Sequence, residues 1–97
     1  MTRPTPLEPL DREARLRRLR FRAWHRGMQE VDLVLGRFAD RELDALDADD
    51  LAAFEQLMDV PDRQVLAWVT GEEAVPGEHD TPLLRRIMAH ASEVGRR

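Results

Sequence analysis

Apolar residues recur along this chain at spacings of three and four, the period of an α-helix. The first stripe is Leu16, Leu19 and Ala23, which predicts a helix over about 12–25 with Asp11 as its N-cap. Arg15, Arg18, Arg22 and Arg26 run beside that stripe at helical spacing. Gly27 punctuates the chain, and Met28, Val31, Leu35 and Phe38 then predict a second helix to about residue 39. Leu33 and Val34 widen its apolar face, so it is expected to be the most buried helix. Residues 40–50 read as an acidic connection, ending where Asp47 and Asp50 form a capping arrangement. A third helix carries Leu51, Phe54, Leu57 and Met58. Pro61 and Asp62 open a fourth, with Val65, Leu66, Trp68 and Val69, which stops at Gly71. A polar loop follows to residue 80. Thr81-Pro82 is a cap and first-turn signal for a fifth helix bearing Leu83, Ile87 and Ala91, with Gly95 as its stop.

No strand-like alternation and no internal repeat interrupts this series. The expected fold is all-α, a compact five-helix bundle in a single domain over 11–95. Pro4, Pro6 and Pro9 mark residues 1–10 as a flexible N-terminal tail.

Composition narrows the function classes. A chain of 97 residues buries only roughly 60–65% of the surface its unfolded form exposes, enough for one modest core and no deep enclosed pocket. There is no Cys, hence no disulfide framework, thiolate metal site or cysteine nucleophile. Lys, Asn and Tyr are also absent and Ile87 is the single Ile, a bias against A/T-rich codons that points to a GC-rich bacterial genome. All fifteen basic residues are Arg. The net charge of −4 hides an asymmetry: residues 1–41 are net +4, and residues 42–97 are net −8. That balance argues against whole-protein attraction to nucleic acid while leaving a local basic face. No apolar run approaches the ~20 residues that span a bilayer. No signal-peptide core is present, and Glu8, Asp11 and Glu13 interrupt the Arg-rich stretch that would otherwise pass for a presequence. These features predict a cytoplasmic protein without membrane insertion.

Catalytic and metal patterns are missing. Ser92 is the single Ser, and His90 stands two residues away, the wrong spacing to share a helix face. His25, His79 and His90 form no metal-ligand spacing. Counted from Asp47, an EF-hand loop would need Gly and Glu where Ala52 and Met58 stand. No Gly-rich loop cradles a phosphate. The expectation is a non-enzyme with no metal and no bound cofactor of its own.

Arg26-Gly27-Met28-Gln29-Glu30 remains. Arg26 and Glu30 are four residues apart and share a face if the segment is helical. A surface ion pair of that kind contributes roughly 0.3–0.5 kcal/mol, less than the roughly 1 kcal/mol that a helical Gly costs. As a stability device the segment is poor. Spacing alone leaves two readings open: a bare backbone flanked by two charges for a partner to approach, or a Gly that simply separates two helices. Phe21 and Trp24 interleave with the Arg stripe, Trp24 as a partly buried residue.

The stretch from Arg22 through Arg26-Gly27-Met28-Gln29-Glu30 to Ala39 resembles the signature of the succinate dehydrogenase assembly factor 2 family, the SdhE or flavinator family. Its R-G-x-x-E hallmark is matched by Arg26, Gly27 and Glu30. The likeness continues through Leu43, Asp50, Leu51, Phe54, Leu57, Asp62 and Trp68, covering about 12–92. His25 and Gln29 stand where many members carry Arg. The resemblance implies a five-helix fold. It implies binding to the free flavoprotein subunit of succinate dehydrogenase, or of fumarate reductase in some bacteria, and promotion of covalent FAD attachment to a His of that subunit. Arg26, Gly27 and Glu30 would then contact the partner, with His25, Gln29 and Arg22 beside them. The factor would act by conformation, as a monomer when free, binding no nucleic acid and no FAD of its own. An alternative is an antitoxin-type regulator of a toxin–antitoxin pair, or a small nucleic-acid-binding helical protein.

Overall fold

A computed structural model describes residues 9–95 along the backbone and 11–92 in side-chain detail. Five α-helices follow one another: α1 (Pro9–Trp24), α2 (Gln29–Glu42), α3 (Ala48–Met58), α4 (Asp62–Val69) and α5 (Pro82–Gly95). A 3-10 turn, Leu43–Ala45, links α2 to α3, and another, Gly77–His79, lies before α5. No strand occurs among the described residues. The five-helix, all-α expectation therefore holds.

Two helix starts follow their local signals. The Asp47 carboxylate accepts from the Asp50 N–H at 2.8 Å and caps α3. The Thr81 hydroxyl accepts from the Leu84 N–H at 3.1 Å at the head of α5, with Pro82 in the first turn. The first helix differs from expectation. The chain is already helical at Pro9, so Asp11 lies inside α1 instead of capping it. Residues 9 and 10 of the predicted tail are accordingly helical, and its residues 1–8 lie outside the described residues.

α2 runs three residues further than predicted, to Glu42, and the acidic connection is more structured than its composition suggests. Leu43 and Leu46 are both buried within it. Arg12 of α1 donates to the carbonyls of Asp44 and Leu46 and ties this turn to the first helix.

The core joins all five helices. Leu16, Leu19 and Ala23 of α1 meet Val31, Leu35 and Phe38 of α2, and Phe38 stacks on Phe54 of α3 with ring centroids 6.2 Å apart. Trp68 of α4 and Ile87 of α5 close the remaining side. One contact depends on a missing side chain. Gly36 is buried in mid-helix, and a Cβ there would fall well inside van der Waals contact of the Trp24 indole. The indole lies on bare backbone, half-buried as expected, and its Nε1 donates to Asp40 at 3.2 Å.

Candidate functional site

Two chain reversals meet at one corner. The α1–α2 connection (25–28) faces the α3–α4 connection (59–61). Gly27 has φ +108°, a backbone conformation that L side chains rarely adopt, and this turns the chain between helices. A Cβ at Gly27 would also stand 3.3 Å from the Asp62 Oδ2. Gly27 thus belongs to the junction between helices, one of the two readings the spacing left open.

Arg26 fastens the two connections together. Its backbone N–H donates to the Asp32 Oδ1 at 2.6 Å, which fixes the turn to the first turn of α2. Its Nε donates to the Asp62 Oδ1 at 2.7 Å. Its Nη1 and Nη2 donate to the carbonyls of Met58 and Val60. These carbonyls end α3 and form the turn beyond it, where no intrahelical donor remains and a cation is favoured. Asp62 begins α4, the end at which a carboxylate is favoured. The pair is largely removed from water, with side-chain exposures of 8% for Arg26 and 19% for Asp62.

The shared helix face that the spacing allowed Arg26 and Glu30, had the segment been helical, is not formed. Arg26 lies outside α2 and is directed at Asp62, because the i, i+4 relation holds only within one continuous helix. Glu30 stands in the first turn of α2, exposed, and makes no ion pair or side-chain hydrogen bond among the described residues. Gln29 beside it is exposed as well.

Arg22 reinforces the clamp from α1. Its Nη2 donates to the Met58 carbonyl at 3.3 Å and to the Asp59 Oδ1 at 3.1 Å. Further along α1, Arg15 pairs with Glu55 of α3 through Nε at 2.7 Å. That hydrogen bond holds the Glu55 carboxyl below its ordinary range and raises the Arg15 guanidinium above its own. His25 is exposed and stacks on Phe21, with centroids 4.0 Å apart and planes 16° from parallel. Its Nδ1 is 2.7 Å from the Phe21 carbonyl, to which the Nδ1–H tautomer donates. Phe21, His25, Val60 and Pro61 border an open groove of about 420 Å³ floored by the Arg26–Asp62 pair.

All six predicted site residues lie at or next to this corner. Arg26 is turned inward, whereas His25, Gln29 and Glu30 are turned outward, and Gly27 forms the turn. Arg22 spans both, bonded to α3 and half-exposed. Sequence reasoning missed the parts played by Asp62, Asp32 and the Met58 and Val60 carbonyls. The one available signal was a buried arginine's need for a carboxylate partner, and that need does not say which of many acids supplies it. Among the described residues no group of three or more His, Asp or Glu side chains is placed to hold a metal ion. No described helix is long and apolar enough to cross a membrane.

Fold and corner together define a small all-helical protein whose buried polar chemistry joins two turns, with an open groove at that seam. The family model described as "Flavinator of succinate dehydrogenase" (Sdh5) matches residues 17–91, and the chain belongs to that family. It is 40% identical over 75 residues to the FAD assembly factor SdhE of Acetobacter pasteurianus, covering 77% of this chain and 69% of that protein. It is 37% identical to the mitochondrial succinate dehydrogenase assembly factor 2 of Cryptococcus neoformans, over 96% of this chain and 56% of that one. Against the assembly factor 2-B of Drosophila ananassae, identity is 36% over 94% of this chain and again 56% of the relative. The chain spans little more than half the length of these two mitochondrial relatives.

Proposed function

We propose that this chain is an assembly factor that binds the flavoprotein subunit of succinate dehydrogenase and promotes covalent attachment of FAD to it. One observation carries the reading. In a chain of the flavinator family, the R-G-x-x-E residues meet at a corner where Arg26 is consumed internally and Glu30 is left exposed without a described partner. Arg26 is a positioning residue, Gly27 shapes the turn, and Glu30 is the charged contact to the partner. His25, Gln29 and Arg22 border that contact.

The mechanism is conformational. The new bond forms between FAD and the partner, so this chain needs no nucleophile. It holds the partner's flavin domain so that the reacting groups meet in a productive geometry, a proximity effect. The chain works as a non-catalytic monomer in the bacterial cytoplasm, carries no flavin of its own and binds protein in preference to nucleic acid. The flavoprotein subunit of fumarate reductase is a second partner of the same chemistry.

The test is direct. Purified apo-flavoprotein subunit is incubated with FAD, with and without this chain, and run on a denaturing gel read by flavin fluorescence. A covalent flavin band that appears faster with the chain supports the reading; equal rates overturn it.

A further inference from the structure

Phe21 is 62% exposed, the one large hydrophobic side chain so placed among the described residues. It is also held in place. His25 stacks on one face and is itself bonded to the Phe21 carbonyl, so the ring pair forms a fixed shelf above the groove. A pre-set aromatic loses little rotamer freedom when a partner covers it. Across the groove stands exposed Pro61, with Val60 beside it. The charges of the lining are already balanced, Arg22 by Asp59 and Arg26 by Asp62. The unsatisfied chemistry of the groove itself is therefore apolar.

The flank is different. Between residues 14 and 25, α1 carries five arginines and no acid. Arg17 and Arg18 lie one helical turn before Phe21 and Arg22, are exposed, and make no ion pair among the described residues. One turn is about 5.4 Å along the axis. An apolar shelf thus sits beside two exposed arginines, of which Arg18 also lies within electrostatic reach of Glu55.

We propose that this groove and its flank form a docking surface for an acidic segment of the flavoprotein subunit that carries one large apolar side chain. The apolar side chain lies between Phe21 and Pro61, and carboxylates about one helical turn away meet Arg17 and Arg18. The inference rests on the assembly-factor reading and adds to it a second contact area, beside Glu30, with a defined chemistry on the partner.

The experiment uses the full chain and purified flavoprotein subunit. A photo-reactive benzoylphenylalanine replaces Phe21, and the cross-linked segment of the subunit is identified by mass spectrometry. The expected product is a segment with Asp or Glu flanking an aromatic or large aliphatic residue. Phe21→Ala and the pair Arg17→Glu with Arg18→Glu are measured in parallel. Each is expected to weaken binding by at least about tenfold with an unchanged unfolding midpoint, and the arginine pair is also expected to flatten the salt dependence. Unaltered affinity of both variants, a cross-link to a basic segment, or a cross-link to a second copy of this chain overturns the inference while leaving the assembly role intact. If the wild-type chain fails to bind the subunit at all, both readings fall.

Discussion

The Nε of Arg26 donates to the Oδ1 of Asp62 at 2.7 Å, joining residues thirty-six positions apart. With the Met58 and Val60 carbonyls on the same guanidinium, one side chain fastens the α1–α2 turn to the α3–α4 turn. Removing it strands a shielded carboxylate and two turn carbonyls. Arg26→Ala is expected to lose about 3–5 kcal/mol of unfolding free energy, the range for breaking one side of a shielded pair. Asp62→Asn should lose less, because the amide oxygen still accepts from Nε. Urea titration of both variants checks this; an Arg26→Ala loss below about 1 kcal/mol, the value of an exposed pair, would show that the clamp is ornamental.

Gly27 tests the turn rather than the pair. Its φ of +108° is strained for any residue with a Cβ, and that Cβ would press on the Asp62 carboxylate. Gly27→Ala is expected to destabilise by about 1–3 kcal/mol. Thermal unfolding beside wild type provides the measurement.

Gly36 sets two principles against each other. Helix propensity alone makes Gly36→Ala stabilising by roughly 1 kcal/mol. The added methyl collides with the Trp24 indole, which is held by its bond to Asp40. Overpacking of this kind costs about 1–3 kcal/mol, so the net change is expected to be destabilising. Restored stability in Gly36→Ala with Trp24→Leu would locate the cause at that contact.

The Arg15–Glu55 pair makes a small pH-dependent contribution. Glu55 is depressed in the folded state, chiefly by its hydrogen bond with Arg15. The associated stability is present above the ordinary glutamate pKa of about 4.3 and is lost as pH falls through the lower folded value. Both side chains are partly exposed, which screens the effect. Glu55→Gln should therefore lower stability slightly near neutral pH and flatten the acid limb of the stability profile. Parallel acid limbs for variant and wild type would contradict this.

Local chemistry was legible in the sequence. The Asp47 and Thr81 caps, Pro61 before α4 and the helical stripes each act within a few residues, so the five helices could be read directly. Acid-rich flanks hid Leu43 and Leu46, whose burial depends on the opposing face of α1 and not on their neighbours in sequence. Arg26 was picked out as a site residue for a reason that proved incomplete. Periodicity paired it with Glu30, four positions away, but Gly27 ends helical periodicity at that point. Its actual partner, Asp62, bears no period relation to it. The Trp24–Gly36 contact was invisible for the same reason, since nothing local says which helix surface an indole will cover.

The central claim is a division of labour within the R-G-x-x-E motif: Arg26 holds the fold and Glu30 meets the partner. Glu30→Ala tests it most directly, with flavin fluorescence of the co-produced flavoprotein subunit on a denaturing gel and the unfolding midpoint of the purified variant measured together. Glu30 is exposed with no described partner, so the midpoint should shift only by what a change of about 0.5 kcal/mol or less in unfolding free energy produces, while covalent flavin falls by at least about tenfold. Full flavin attachment by Glu30→Ala, or loss of the fold together with the flavin, would contradict that division.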